Sequence, residues 1–167
     1  SLNYFNERCE RIKMANIAQT VNVLQSLILT DGEKMLLTPT YHVFEMYKVH
    51  HDATLLPLHL NCGNYVIDGR EVPAVSASAS KDKNGAINIT IVNVDPGKET
   101  EVLIDLRGGE YDSVSGRVLK GEALTAHNTF DRSETVKPEP VKGAKIRNNM
   151  LSLSVPPASV TVLTVVK

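Results

Sequence analysis

Side-chain amides recur at every third position in the sequence MANIAQTVNVLQ, where Asn16, Gln19, Asn22 and Gln25 interrupt an otherwise apolar run. An amide supplies donors and an acceptor without net charge, which is what sugar hydroxyl groups need from a binding site. A helix would place the four side chains along a slowly drifting polar stripe, whereas a strand followed by a turn would bring Asn16 and Gln19 to a strand end. The spacing by itself leaves both structures open.

The other side chains that could do chemistry fit structural roles better than catalytic ones. His50 and His51 end a predicted helix, where a cation complements the carbonyl end of the helix dipole. Acidic residues fall on polar faces, in turns or at strand ends, and the remaining histidines and the alternating serines match no metal spacing or GxSxG elbow. We therefore predict no catalytic residue, no metal site and no cofactor in this sequence. The residues considered are Glu7, Glu10, Glu33, Glu45, Asp95, Asp105, Asp112, Asp131, His42, His59, His127, Ser76, Ser78 and Ser80.

Length and composition indicate a folded domain that does not bind nucleic acid. The 167 residues are 42% hydrophobic and carry a formal charge of -1, which argues against disorder and against a surface of excess Lys and Arg. Cys9 and Cys62 match no metal-binding or CxxC pattern. The longest apolar run, from Val21 to Leu29, is too short to span a bilayer, and the charged N-terminus is no signal peptide, so we expect no membrane partner. Because the sequence opens inside an amphipathic pattern, we expect it to come from within a longer protein.

The first 51 residues predict two helices separated by a hairpin. Apolar spacings of three and four predict a helix from Leu2 to about Ile12, and Asp31-Gly32 between apolar runs predicts a hairpin with a loop of two or four residues. Thr38 is a capping residue for the second helix. A segment this small buries too little surface to be stable alone, so it should pack on something else. The apolar helix positions are Leu2, Phe5, Cys9 and Ile12, then Tyr41, Phe44, Met46, Tyr47 and Val49.

From residue 52 onward the pattern changes to short alternating stretches separated by Gly, Pro and Asp turns. Asn84-Gly85 joins two such stretches and predicts an antiparallel hairpin. Several strands of this length are typical of a β-sandwich or jelly roll. The lysine-rich and proline-rich sequence VKPEPVKGAKIRNN predicts an exposed connection. The predicted strands cover residues 54–60, 74–79, 87–94, 100–105, 113–119, 150–155 and 160–166.

Long sequences in both parts resemble one enzyme family. RIKMANIAQTVNVLQSLILTDGEKMLLTPTYHVFEMYKVHHDATLLP resembles the last βα unit of the α-L-arabinofuranosidases of glycoside hydrolase family 51. GRVLKGEALTAHNTFDRSETVKP, which contains AHNTF, and LSLSVPPASVTVLTVV resemble their C-terminal β-domain. The resemblance implies a mainly β fold, a jelly-roll-type antiparallel β-sandwich (52–167) preceded by a small helical segment (1–51) that ends a truncated (β/α)8 barrel.

The resemblance also implies a function for the whole enzyme and a separate role for this part of it. The family hydrolyses terminal α-L-arabinofuranosyl groups of arabinan and arabinoxylan with retention, using two glutamates that lie upstream of the matched region. We therefore expect this chain to be inactive alone and structural in role, with the remaining catalytic barrel and an arabinose-containing saccharide as partners. The compartment stays open between bacterial cytoplasm and periplasm. Without the rest of the barrel, the chain would expose apolar surface around Phe44 and Tyr47. Because such surface favours self-association, we expect a homo-oligomer.

By the same resemblance, IKMANIA is the final barrel strand, buried and ending near the substrate. Gln19 matches the family's Gln that binds the arabinofuranose, and Asn16 is an alternative with a supporting role. Asn22 and Gln25 are expected at the barrel rim, where they satisfy backbone groups. A competing hypothesis makes the chain an autonomous carbohydrate-binding module, which would stack sugars on aromatic rings. The β-part offers only Tyr65, Tyr111 and Phe130 for that purpose.

Overall fold

Two antiparallel sheets packed face to face form the centre of the computed structural model, which describes residues 1–167. The helices are α1 (Leu2–Glu7) and α2 (Pro39–Tyr47), and a 3₁₀ turn, Lys48–His50, follows α2. The strands are β1 (Ile28–Asp31), β2 (Lys34–Leu37), β3 (Thr54–Leu56), β4 (Asn64–Ile67), β5 (Arg70–Pro73), β6 (Val75–Lys81), β7 (Ile87–Asn93), β8 (Thr100–Asp105), β9 (Ser113–Leu119), β10 (Glu139–Pro140), β11 (Lys145–Arg147), β12 (Met150–Val155) and β13 (Ser159–Val166).

The larger sheet has six strands in the order β10-β9-β13-β7-β6-β3, and the smaller sheet has three in the order β11-β12-β8. All pairings are antiparallel. The predicted mainly β, antiparallel sandwich with a small helical segment before it is therefore confirmed. The 3-residue strand β3 stops at Leu56 instead of residue 60, because Pro57 has no N–H to continue the ladder.

The main core lies between the two sheets. Strands β6, β7 and β13 contribute one face of the large sheet, and β12 contributes the facing side chains, in the alternation that a sandwich requires. The thirteen buried residues are Val75, Ala77, Ala79, Ile87, Ile89, Ile91, Leu106, Tyr111, Leu151, Leu153, Val155, Leu163 and Val165.

Two hairpins in the β-part were not predicted: β4–β5, and β11–β12, whose first strand lies in the sequence predicted as an exposed connection. Strands β4 and β5 pair antiparallel, with Ile67 opposite Arg70, so Asp68 and Gly69 form a two-residue turn. Both turn residues have positive φ, +49° and +72°, as a type I′ hairpin turn requires. The Asp-Gly pair was the sequence signal that could have revealed this hairpin.

The N-terminal segment follows the predicted order of elements with two shorter helical stretches. α1 ends at Glu7 rather than near Ile12, and turns continue to Arg11. The predicted hairpin forms with Asp31 opposite Lys34, so its loop has two residues, and Gly32 takes a φ of +55°. The second helix begins where predicted, with the Thr38 side chain accepting from the Tyr41 N–H at 3.4 Å.

The predicted barrel strand IKMANIA is not a strand in this chain. No backbone group from Lys13 to Gln19 makes a hydrogen bond to another backbone group, and the segment is mostly exposed instead of buried. A strand is held by the hydrogen-bond ladder it forms with a neighbouring strand, and no other strand of this chain pairs with this segment.

Among the helices, none is long and apolar enough to cross a membrane.

Gly116 lies where β9 and β13 leave no room for a Cβ, and this yields a stability prediction. A Cβ at this position would lie 2.4 Å from the Val162 backbone oxygen and 2.8 Å from Leu163 Cδ2. We expect Gly116→Ala to lower the free energy of unfolding in urea by about 1–3 kcal/mol, because β9 and β13 must move apart. Gly63→Ala is the matched control, since a Cβ there meets nothing within 4 Å. Equal stability of the two variants would contradict the close packing of these strands.

Candidate functional site

The two candidate sugar-binding amides lie on the exposed extended segment between α1 and β1. Asn16 and Gln19 are both exposed, and neither side chain hydrogen-bonds to another residue of the chain. The segment is not a helix, so the four amides do not form a helical stripe. The segment is not a strand either, so the chain adopts neither of the two structures that the spacing left open, and these amides are free for another molecule.

Asn22 and Gln25 differ from the first two amides because they shape the loop that follows. Both have positive φ, +52° and +64°. The Asn22 side chain donates from Nδ2 to Thr30 Oγ1 at 2.8 Å and accepts from the Thr30 N–H at 2.7 Å. Asn22 thus satisfies a backbone group of β1, as predicted, whereas the Gln25 side chain makes no hydrogen bond within the chain.

An apolar groove of about 540 Å³ runs beside this segment, between α1 and α2. The four apolar residues that predicted the first helix all line it, although the helix itself ends before Cys9. Phe44 lines it from α2 and is half-buried. The prediction that Tyr47 is exposed here is wrong, because Tyr47 also lines the groove but is 8% exposed and its hydroxyl points to Asn3. The remaining lining residues are Asn6, Lys13, Met14, Ala15, Leu27, Tyr41, Glu45, Lys48 and His51.

Beneath α1 and α2 lies a layer of buried polar side chains on the outer face of the large sheet. Here Asn3 is the central residue: its Nδ2 donates to the Ser76 carbonyl at 3.0 Å, and its Oδ1 accepts from Ser78 Oγ at 2.9 Å and Tyr47 OH at 2.8 Å. Asn6 Nδ2 adds a bond to Ser78 Oγ at 3.0 Å. Burial raises the pKa of Tyr47 well above its usual value, so this hydroxyl keeps its proton. We call this layer the polar seal.

His50 extends the polar seal from β6 to the neighbouring strand β7. Its Nδ1 lies 2.7 Å from Ser80 Oγ and its Nε2 lies 2.6 Å from Thr90 Oγ1. Burial, and secondarily the nearby His51, lower the pKa of His50 to about 4. The interpretation of His50 as a cation that caps a helix dipole is therefore wrong: the ring is neutral at pH 7 and serves as a hydrogen-bonding bridge between two strands.

An ion pair joins α2 to the sandwich on the other side. Arg117 on β9 contacts a Glu45 carboxylate oxygen at 2.9 Å, and Lys48 lies 3.7 Å from the other. Glu45 is only 26% exposed at its side chain, so its expected role as a solvated surface carboxylate is wrong. It is a structural contact between the N-terminal segment and the sheet.

Two arrangements that bind ligands in other proteins, a metal-binding cluster and a platform of aromatic rings, are not found in the chain. No group of three or more His, Cys, Asp and Glu side chains could hold a metal ion. Of the three aromatic residues in the β-part, Tyr111 is buried, and Tyr65 and Phe130 are half-buried. This distribution leaves the hypothesis of an autonomous carbohydrate-binding module without a ring platform to support it.

Comparison with known proteins identifies the domain. The family model for the α-L-arabinofuranosidase C-terminal domain matches residues 1–159. This chain belongs to that family. The resemblance found in the sequence is thereby confirmed, and it extends over both the N-terminal segment and the sandwich.

Individual relatives agree with this family. The intracellular exo-α-L-arabinofuranosidase of Bacteroides ovatus is 46% identical over 164 residues, which are 98% of this chain and 32% of the relative. The crystal structure of the GH51 arabinofuranosidase from Xanthomonas axonopodis pv. citri has a TM-score of 0.95 and 41% identity, over 98% of this chain and 33% of that one. The arabinose complex of Thermotoga maritima α-L-arabinofuranosidase shares the fold, with a TM-score of 0.82, 23% identity and coverages of 98% and 36%.

The chain thus spans about one third of the length of these relatives. In them, an α-L-arabinofuranosidase C-terminal domain is one part of a longer enzyme, so the remainder of the enzyme is an implied partner.

The polar seal of this α-L-arabinofuranosidase C-terminal domain contains the residues that sequence reasoning missed. Asn3 carries no local signal, because nothing in its neighbours distinguishes it from a surface asparagine. The alternating Ser76, Ser78 and Ser80 were visible, but their partners on α1 and in the 3₁₀ turn are 30 to 75 residues away. Alternating serines on a strand whose other face is apolar were the available signal of a buried polar interface.

His50 makes the stability of the domain depend on pH. The unfolded state takes up a proton near pH 6.5 that the folded state does not accept until about pH 4, so stability is complete above pH 6.5 and falls with decreasing pH. We expect His50 to account for a loss of up to about 3 kcal/mol between pH 6.5 and pH 4 in urea unfolding. His50→Gln keeps a neutral side chain and should flatten this dependence, whereas the exposed control His127→Gln should not. Parallel pH curves for wild type and His50→Gln would contradict the assignment.

Proposed function

We propose that this domain completes the catalytic barrel of an enzyme that hydrolyses terminal α-L-arabinofuranosyl groups of arabinan or arabinoxylan with retention. Residues 1–51 are the end of the barrel and residues 52–167 are the sandwich that supports it. The family membership and the 46% identical exo-α-L-arabinofuranosidase support this reaction class. The domain itself is structural, with a single point of contact with substrate.

The extended segment from Lys13 to Gln19 is the observation that carries the proposal. Its backbone groups have no hydrogen-bond partner within the chain, and two of its apolar residues, Met14 and Ala15, line the groove beside α1 and α2. We expect a neighbouring strand to pair with this exposed backbone on each side and helices to fill the groove. A (β/α)8 barrel supplies both, because each of its strands is paired on two edges and covered by helices.

Within that barrel, Gln19 binds the sugar. Active sites of such barrels form at the carboxyl ends of the strands, and Gln19 follows IKMANIA at that end. Its amide is exposed and unpaired, so it is free to donate to and accept from sugar hydroxyls. Asn16 lies further back on the same segment and is the alternative. The pair of carboxyl groups about 5 Å apart that retention needs belongs to the remainder of the enzyme.

A hybrid enzyme tests both the reaction and Gln19. The C-terminal third of the Bacteroides ovatus relative is replaced by this chain, and hydrolysis of p-nitrophenyl α-L-arabinofuranoside is measured. We expect the hybrid to be active and this chain alone to be inactive. Gln19→Ala should lower kcat/KM of the hybrid about 10- to 100-fold, because a hydrogen bond to the sugar is lost in the transition state.

Two other amides complete the test: Gln25 provides a control, and Asn16 is the alternative sugar contact. Gln25→Asn preserves an amide and tolerates the positive φ at that position, so kcat/KM should stay within about twofold of the unmodified hybrid. A larger loss for Asn16→Ala than for Gln19→Ala would assign the sugar contact to Asn16. Hydrolysis by the isolated chain would mean that one of its own carboxylate pairs is catalytic.

The isolated chain should self-associate through the apolar groove. Phe44 and Ile12 line this groove without a partner segment filling it, and apolar surface of this kind favours association. We expect an oligomer in sedimentation velocity at tens of micromolar, and expect Phe44→Ser to shift it towards monomer. Leu124→Ser is the control, since Leu124 is 73% exposed and lies outside the groove. A monodisperse wild-type monomer would contradict the expectation.

A further inference from the structure

We propose that Asn128, in the sandwich, is a positioning residue for Gln19: its side chain fixes the β1–β2 hairpin, and the hairpin fixes the backbone next to Gln19. The proposal rests on the function proposed for Gln19. Asn128 belongs to the sequence AHNTF, which is part of the resemblance to the family but has no role in the site as described so far.

The Asn128 amide is buried and uses both of its ends. Nδ2 donates to the Leu37 carbonyl at 2.8 Å and to the Val136 carbonyl at 3.0 Å, while Oδ1 accepts from the Val136 N–H at 2.7 Å. This pattern requires two donors and one acceptor on a planar group. An aspartate of the same shape would place a carboxylate oxygen against two carbonyl oxygens, so Asn is specified here by its hydrogen bonds.

The Val136 end of this connection is fixed in the body of the domain. Val136 is 4% exposed and packs in a second apolar cluster with Met46, Leu119 and Val162. This cluster joins α2 to strands β9 and β13 of the large sheet. Asn128 therefore ties the hairpin to a rigid support.

At the Leu37 end, strand pairing and backbone hydrogen bonds connect Leu37 to the residues that follow Gln19. Leu37 is the last residue of β2 and pairs with Ile28 on β1. The Thr20 carbonyl accepts from the N–H groups of Leu27 and Ile28, each at 3.0 Å, and the Asn22 N–H donates to the Ile28 carbonyl at 3.1 Å. The Asn22 side chain then holds Thr30. Residues 20–22, directly after Gln19, are thus bound to β1 at the open end of the hairpin, the same end that Asn128 holds through Leu37.

The position of a substrate-binding amide must be fixed closely, because a displacement of about 1 Å can cost about 10²-fold in rate. The segment before Gln19 has no backbone hydrogen bond within this chain, so the restraint that this chain itself places on Gln19 is the one through Thr20. The sandwich thereby affects the position of Gln19 in the active site as well as the stability of the domain.

Amide hydrogen exchange on the complete chain tests the physical connection. Asn128→Asp should accelerate exchange of the Leu27, Ile28 and Thr30 N–H groups at least about tenfold, and should leave the amides of β7 unchanged. Asn84→Asp is the matched control, because this exposed turn residue makes no side-chain hydrogen bond. Unchanged exchange in the hairpin of a folded Asn128→Asp protein would overturn the proposal.

A second variant covers the case in which Asn128→Asp fails to fold. Asn22→Gly keeps the positive φ and removes only the clamp on Thr30 at the exposed end of the connection. It should accelerate exchange of the Thr30 N–H by a similar factor while the sheet stays protected. Protection of Thr30 that survives this change would also overturn the proposal.

A double-mutant cycle in the hybrid enzyme separates positioning from general stabilisation. Asn128→Asp alone should lower kcat/KM about tenfold or more, but in the Gln19→Ala background it should add less than about twofold, because it acts through Gln19. Additive effects would indicate a purely structural role and would refute the proposal. An unmodified hybrid without activity, or a fully active Gln19→Ala hybrid, would instead refute the proposed function, and the exchange results would still decide whether Asn128 fixes the hairpin.

Discussion

The polar seal between the N-terminal helices and the outer face of the large sheet is the interaction on which the rest of the structure depends. One face of β6 and β7 fills the apolar core, and the other presents serine, asparagine and threonine side chains to α1 and the 3₁₀ turn. Buried polar groups are costly unless they are paired, so helices without the matching Asn3, Tyr47 and His50 could not cover this face. The seal therefore specifies which segment docks and in which orientation.

Because the helices are fixed on the sandwich, their other sides are left to form a second interface. α1, α2 and the extended segment bound an apolar groove, and the extended segment offers unpaired backbone and two free amides. Towards the sandwich, the polar side chains of Asn3 and His50 are hydrogen-bonded, whereas on the opposite side the backbone from Lys13 to Gln19 has no partner. This asymmetry agrees with the finding that the chain spans about one third of the length of its relatives.

Hydrogen bonds between residues far apart in the sequence connect the sandwich to the N-terminal segment. Asn128 bonds to Leu37 across 91 residues, and Asn3 bonds to Ser78 across 75. In each case a single amide connects a loop or strand of the sandwich to an element of the N-terminal segment. Amides suit this purpose because they pair with carbonyl, N–H and hydroxyl groups without the desolvation cost of a charge.

The sequence by itself determined the elements whose causes are local. Alternation located β8, β9 and β12, the Thr38 cap and Pro39 located the start of α2, and the family pattern was recognisable from NIAQTVNVL and AHNTF. The tertiary structure alone decided which polar residues are buried. His50 is neutral because burial in the fold lowers the pKa of its ring, and IKMANIA is unpaired because a strand exists only beside its neighbours. The physical reason is that periodicity and capping act over a few residues, whereas burial, pKa and strand pairing are set by groups that the fold brings together from far along the chain.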